Sequence, residues 1–399
     1  MNRVELLAPA GNLERLKTAF LYGADACYLG GLSYSLRANA KNFNREDLKT
    51  ACEYAHNLGK KIYVTVNIVF HNEDLLDLVD YLKYLESIKV DAIIISDPFI
   101  IDIIKDNDIN IEIHISTQYS VLNYESVLFF KSLGVTRVVL ARESSRDNIK
   151  EIIDKTGMQI ETFVHGAMCS SISGRCTLSN YFTNRDANRG GCSQVCRWEF
   201  DLYDKDKNKI ESITKFTMST KDLTMIYNLP DMIDIGICSL KVEGRMRSDY
   251  YVATVINTYK SAINDYYDGK LTKEKLEYYS KILNRVSNRD NIEQFYSGLP
   301  GVNEQYYLGR QEDSNQDFLG VVLDFNENNM MVTLEERNYF KKGDNVEFFG
   351  PNIEPFSFAI GDIYDSVGNL LECARHPKEI IMFKVPKKVY QYDILRIKI

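Results

Sequence analysis

Short apolar runs alternate with longer amphipathic stretches along the first two-thirds of the chain. The runs are Val4–Leu7, Ala26–Leu29, Ile62–Val66, Ala92–Ile95, Ile111–Ile115, Arg137–Leu140, Ile160–Val164 and Ile233–Leu240. Between several of them apolar residues recur at helical spacing, as in Leu13–Tyr22, Arg45–Leu58 and Asp74–Ile88. A brief run with little polar alternation is what a parallel strand buried on both faces looks like. Eight such runs alternating with helices predict an α/β fold, a (β/α)8 TIM-like barrel, at about the 250 residues such barrels need. An open, doubly wound sheet is the competing arrangement.

A helical extension follows from Ser248 to about Val286, with Tyr251, Val255, Tyr259 and Ile263 four apart on one face. The segment Asn291–Asp317, with Gly298-Leu299-Pro300-Gly301 and a polar run from Arg310, reads as a linker. Short strands with turn signals then run from Leu319 to Ile399 and predict a small C-terminal all-β barrel. The expected domains are 1–247, 248–317 and 318–399.

Composition removes several function classes. Lys and Arg number 48 against 56 Asp and Glu, a net charge of -8, so a strongly basic protein that coats nucleic acid is excluded while a local basic patch is not. Glu5, Glu14 and Arg15 interrupt the opening apolar run, which is not a signal peptide. No stretch reaches the roughly 18 apolar residues of a membrane span. The expectation is a soluble, cytoplasmic protein without a membrane partner. In that compartment its eight cysteines read as metal ligands, nucleophiles or core residues before disulfides.

In a barrel of this kind catalytic groups sit just past the C-terminal ends of the strands. Those positions hold Asn12, Asn67, Asp97, His114 with Ser116 and Gln118, Arg142-Glu143, His165, and Lys241 with Glu243 and Arg245. The strongest chemical signal follows the seventh run. Cys169 and Cys176 are separated by six residues, Cys192 follows after fifteen more and Cys196 after three, and Cys238 lies in the eighth run. All five are expected to converge at the mouth. Four thiolates at irregular spacing could hold an iron–sulfur cluster. Structural zinc favours short C-x₂₋₄-C pairs, which only Cys192–Cys196 resembles. Buried, unreactive cysteines are the third reading, and it suits Cys27, Cys52 and Cys373. A Cys169–His165–Glu161 nucleophile is the fourth, but Glu161 and His165 are about 13 Å apart along one strand.

At these residues the chain resembles peptidase family U32, whose signature has the form E-x-F-x-x-G-[SA]-x-C, four residues, G-x-C and x-x-S. Glu161, Phe163, Gly166, Ala167, Cys169, Gly174, Cys176 and Ser179 match it. Matching flanks are Leu6-Ala8-Pro9-Ala10-Gly11, Arg185–Gly190, Gln194–Trp198, Ser239–Met246 and Tyr392–Arg396. The family was named for collagenase-type proteases, and its better understood bacterial members are oxygen-independent hydroxylases with a [4Fe–4S] cluster.

The length and the C-terminal barrel make the chain most similar to the branch that hydroxylates the wobble uridine of tRNA, with prephenate as a co-substrate. The resemblance implies Cys169, Cys176 and Cys192 as metal ligands and Cys238 as the fourth, with Cys196 the alternative. It also implies tRNA, a small dicarboxylate and an electron donor as partners. A dicarboxylate or a phosphate calls for cationic clamps. Arg175, Arg185, Arg189 and Arg197 against the single acid Asp186 give that segment +3, and Lys241, Arg245 and Arg247 add to it. His114, His165 and Glu243 are the candidates for proton transfer. The rival functions are a U32-type peptidase and a non-catalytic RNA-binding factor.

Overall fold

The computed structural model describes residues 3–36, 42–211, 215–287, 289–308 and 317–398; the polar run at 310–316 lies outside them. Seven of the eight apolar runs are parallel strands within a few residues of the expected bounds. They are β1 (Glu5–Pro9), β2 (Ala26–Gly30), β3 (Lys61–Val66), β4 (Ala92–Ile95), β5 (Glu112–Ile115), β6 (Arg137–Val139) and β7 (Gln159–Gly166). The helices between them are α1 (Leu13–Leu21), α2 (Arg45–Asn57), α3 (Leu78–Ser87), α4 (Phe99–Asp106), α5 (Tyr124–Ser132) and α6 (Arg146–Thr156). Their starts carry side-chain caps where the sequence supplies them. Asn12 accepts from the Arg15 N–H at 2.9 Å, and Asn44 with Asp47 closes a capping box on α2.

The eighth strand differs from the expected run. Pro230 opens a short helix, α8 (Leu229–Asp234), in which Asp231 is gripped by Arg146 through two 2.8 Å bonds. Gly236 then turns the chain at φ +93. The strand begins only at Ser239, as β10 (Ser239–Val242), after α7 (Leu178–Thr183), β8 (Phe216–Thr220) and β9 (Asp222–Thr224) have intervened. It pairs in parallel with both β1 and β7, which closes the barrel and disposes of the open sheet.

The extension beyond residue 248 is α9 (Asp249–Tyr267) and α10 (Lys273–Arg285). Tyr251, Val255, Tyr259 and Ile263 are all buried in the barrel's core, so α9 closes the outer ring of helices. The C-terminal region is an antiparallel eight-stranded sheet whose central strands are Ile394–Ile397, Phe318–Asn326 and Met331–Glu336, with its own core of residues such as Val346, Phe348 and Phe383. It sits on the barrel through a parallel stack of Phe318 on Tyr250 at 4.9 Å and a Tyr22 hydroxyl donating to the Tyr392 carbonyl at 2.8 Å. Among the described residues no helix is long and apolar enough to cross a membrane.

Candidate active site

The interior of this barrel is polar at its foot. Strand alternation turns Glu5, Tyr63, His114, Arg137, Glu161 and Ser239 inward. Arg137 donates to Glu5 at 2.7 Å and to Glu161 at 3.1 Å. Lys241 reaches the other Glu161 oxygen at 2.7 Å. Burial alone would raise the Glu161 carboxyl, but Lys241 and Arg137 overcome it and hold it at about 2. Lys241 is thereby fixed as the link between this buried network and the mouth, with its ammonium 4.4 Å from the Tyr28 ring and 5.5 Å from Phe163.

Above it opens a cavity of about 480 Å³ at the C-terminal ends of the strands. Its cationic lining is Arg142, Lys241, Arg245, Arg197 and Arg247, and Glu243 is the one carboxylate among its described lining residues. The Arg142 guanidinium lies 3.9 Å from the Phe163 ring centre and 3.7 Å from Glu243. Arg245 is buried and donates to the Ser35 hydroxyl at 2.7 Å and to Thr65 at 3.2 Å. Tyr28 faces Glu243 at 3.4 Å. Five cationic side chains thus face one small space, although Lys241, Arg142 and Arg247 also pair with Glu161, Glu243 and Asp222; such a lining can receive an anion.

The roof of the cavity is the excursion 167–215. Gly166 starts it at φ +115, where a Cβ would lie 2.7 Å from the Glu243 carbonyl oxygen, so only glycine fits there. Cys169, Cys176, Cys192 and Cys196 all line the cavity. The loop holds them by hydrogen bonds rather than by regular structure. Asn188 brackets Cys176, accepting from its N–H at 3.2 Å and donating to its carbonyl at 3.1 Å, and the Leu178 N–H donates to the Cys176 sulfur at 3.3 Å. Glu143 accepts from the Ser173 N–H at 2.9 Å, and Ser179 accepts from the Ser193 N–H at 3.0 Å.

Arg189 pins the loop to the β3–α3 connection through a two-pronged pair with Asp74, one prong at 2.8 Å. It is therefore a structural clamp, outside the cavity. Arg175 donates to the Gln118 carbonyl at 2.6 Å, and both it and Arg185 stand exposed on the loop's outer side.

The expectation that all five cysteines meet at the mouth is corrected here. With β10 starting at Ser239, Cys238 pairs at the foot of the barrel. Its N–H and its thiol both donate to the carbonyl of Ile160, at 3.0 and 3.1 Å. Ile160 is six residues before the end of β7, about 20 Å from the mouth at strand spacing. Burial pushes the Cys238 thiol up to about 12, so it stays protonated. Four thiols remain together, with Cys196 in the place assigned to Cys238. Among the described residues no three His, Cys, Asp or Glu side chains close around a point as a single metal ion requires. A four-iron cube holds its thiolates farther apart than one ion does, and four loop cysteines on one cavity, one receiving an N–H bond at sulfur, fit that group.

Both histidines are likewise away from the cavity. His114 is buried inside the barrel's foot, edge-on to the Tyr63 ring at 4.8 Å, and burial lowers its basicity. His165 turns outward because the β7–β10 register slips between Lys241 and Val242. It packs between Tyr251 and Tyr259 of α9 at 5.9 and 5.7 Å, where burial and then Arg247 push it down to about 3. Both are neutral core histidines. Of the proton-transfer candidates, Glu243 alone lines the cavity. Sequence reasoning placed Arg247 with the basic patch but passed over Arg142 as a binding group, although Arg142 stands at a strand end where such groups belong.

The geometry defines a (β/α)8 enzyme scaffold with a cysteine-rich roof over a mouth lined by cationic side chains. The chain belongs to peptidase family U32. That family's model matches residues 11–306, and the model of the peptidase family U32 C-terminal domain matches residues 314–396. The chain is 49% identical over 401 residues to tRNA hydroxylation protein P1 of Bacillus subtilis, covering 98% of this chain and 94% of that one. It is 33% identical to tRNA hydroxylation protein P of Haemophilus influenzae over 96% and 94%. It is also 35% identical to a protein of Porphyromonas gingivalis named Collagenase, over 75% and 74%.

Proposed function

We propose that the protein is an RNA-modifying enzyme that hydroxylates C5 of a wobble uridine in tRNA. In this reading Cys169, Cys176, Cys192 and Cys196 hold a [4Fe–4S] cluster and a prephenate-like dicarboxylate is the co-substrate. The observation that carries it is the meeting of four loop thiols and five cationic side chains on one cavity. The names of the two most extensively aligned relatives support tRNA as the substrate.

Replacing C5–H by C5–OH inserts one oxygen atom and withdraws two electrons from the base. In this reading the co-substrate gives up a hydroxyl oxygen and takes the electron pair and the proton, its C–OH becoming C–H, and a bound iron–sulfur cluster would supply the electron relay between them. The chain's own residues bind and orient. Arg142, Arg245 and Arg247 ring the space a carboxylate or a phosphate would fill, and Lys241, made less basic by burial and partly steadied by its 2.7 Å contact with Glu161, lies beneath it. Glu243 is placed to accept the proton that leaves C5, with Tyr28 and Arg142 setting its orientation.

The peptidase reading needs a Cys–His–carboxylate chain. Glu161 is spent on Arg137 and Lys241 inside the barrel, while His165 lies outside it on α9. Purified protein is expected to leave gelatin intact.

Deleting the gene in a strain without a second copy is expected to remove 5-hydroxyuridine-derived nucleosides from tRNA, read by mass spectrometry of digested nucleosides. Unchanged nucleosides would refute the reading, and would equally follow from a factor that only binds RNA. A His165→Phe gene is expected to restore them to within about twofold of wild type, because the ring fills a core position of similar volume. Loss of the nucleosides with the fold intact would return His165 to the chemistry.

A further inference from the structure

On the solvent side of the cavity's roof stands a group of exposed aromatic rings. Tyr181 and Phe182 on α7 are 86% and 47% exposed, and Trp198 is 43% exposed. Tyr181 and Phe182 meet edge to face at 5.3 Å, Phe182 and Trp198 at 6.4 Å, and Phe182 and Phe200 at 5.8 Å. Three exposed rings backed by the half-buried Phe200 are an apolar patch that a folded chain ordinarily buries. The patch adjoins the cavity's lining along the chain: Leu178 and Ser179 at the start of α7, and Cys196 and Arg197 just before Trp198, line the cavity. Arg175 and Arg185 are exposed on the same excursion, which carries +3 over residues 175–197 in a chain of -8.

We propose that this aromatic rim docks an unpaired stretch of RNA, with bases stacked on the rings of Tyr181, Phe182 and Trp198 and phosphates met by Arg175 and Arg185. The proposal rests on the RNA-modifying reading above and assigns it a surface. In duplex RNA C5 faces a deep, narrow major groove that side chains cannot enter, so an enzyme acting there needs the nucleotide splayed out and its neighbours held. Ring faces interleaved with guanidinium groups are the surface that holds single strands without reading their sequence. A second copy of this chain docking face to face would set these arginines against themselves, which charge complementarity disfavours.

Trp198 is the sole tryptophan of the sequence, so its emission reports on this rim alone. The full-length protein is titrated with an unmodified RNA hairpin carrying a pyrimidine-rich loop, and with a blunt duplex of the same stem. The hairpin is expected to quench Trp198 saturably and the duplex to leave it unchanged. By anisotropy of labelled hairpin, Tyr181→Ala and Phe182→Ala are each expected to weaken binding roughly tenfold, and Trp198→Phe to keep the affinity while losing the signal. Tyr181 is almost wholly exposed, so its replacement leaves the fold intact and keeps the test valid if Phe182→Ala misfolds.

Hairpin binding that leaves Trp198 unquenched and ignores Tyr181→Ala would overturn the proposal while leaving the RNA-modifying reading in place. So would RNA-independent self-association, measured by sedimentation, that Tyr181→Ala abolishes. Unchanged tRNA nucleosides on gene deletion would sink that reading whatever the rim binds.

Discussion

A Cys196→Ala gene is expected to leave a deletion strain without the hydroxylated nucleosides, whereas a Cys238→Ala gene restores them to within about twofold of wild type. The two residues exchange the roles that the family resemblance implies for them, and the reason is where β10 begins. Cys238 is bonded to Ile160 at the foot of the barrel, a strand's length from the cavity. Cys196 shares the cavity wall with Cys169, Cys176 and Cys192. Loss of one ligand from a four-thiolate set leaves an open iron and a cluster prone to break down. Cys169→Ala, Cys176→Ala and Cys192→Ala are therefore expected to behave as Cys196→Ala does. Loss of the nucleosides with Cys238→Ala in a protein of unchanged thermal stability would reverse the assignment.

Glu161→Gln is expected to destabilise the fold by about 3–5 kcal/mol, the range for removing one partner of a buried ion pair. The substitution leaves the Arg137 guanidinium and the Lys241 ammonium in the barrel without the carboxylate that both touch. Urea denaturation at neutral pH reads this as a lower midpoint with an unchanged slope. The same residue gives the wild type a pH signature. Glu161 is held at about 2 in the fold, below the usual carboxylate range near 4.3, so between these values the unfolded chain binds the proton the folded one refuses. Its stabilisation is fully present above about pH 5 and is lost as the pH falls toward 2, on the order of 3 kcal/mol over the whole interval. The stability of Glu161→Gln is expected to fall less steeply over that interval. Identical pH dependences in the two proteins would show that the network is not held as described.

The barrel was legible because seven of its strands are apolar runs that match their bounds within a few residues. The eighth was not, since Ile233, Ile235 and Ile237 read as one strand although Pro230 and Gly236 divide the segment into a helix and a turn. That shift moved Cys238 from the mouth to the foot. The histidines were misplaced for a related reason. Position at a strand's end is readable, but the face a side chain takes depends on register, and the slip between Lys241 and Val242 turns His165 to α9. The anion site was legible in part. Lys241, Glu243, Arg245 and Arg197 do line the cavity, whereas Arg189 is taken up by Asp74, 115 residues away in sequence, a pairing no local pattern announces.

The most direct test of the account is the iron and acid-labile sulfide content of the protein purified without oxygen, together with its visible absorption. The account predicts a brown protein with about four irons and four sulfides per chain, lost in Cys196→Ala and kept in Cys238→Ala. A colourless, iron-free protein, or one carrying a single zinc, would contradict it.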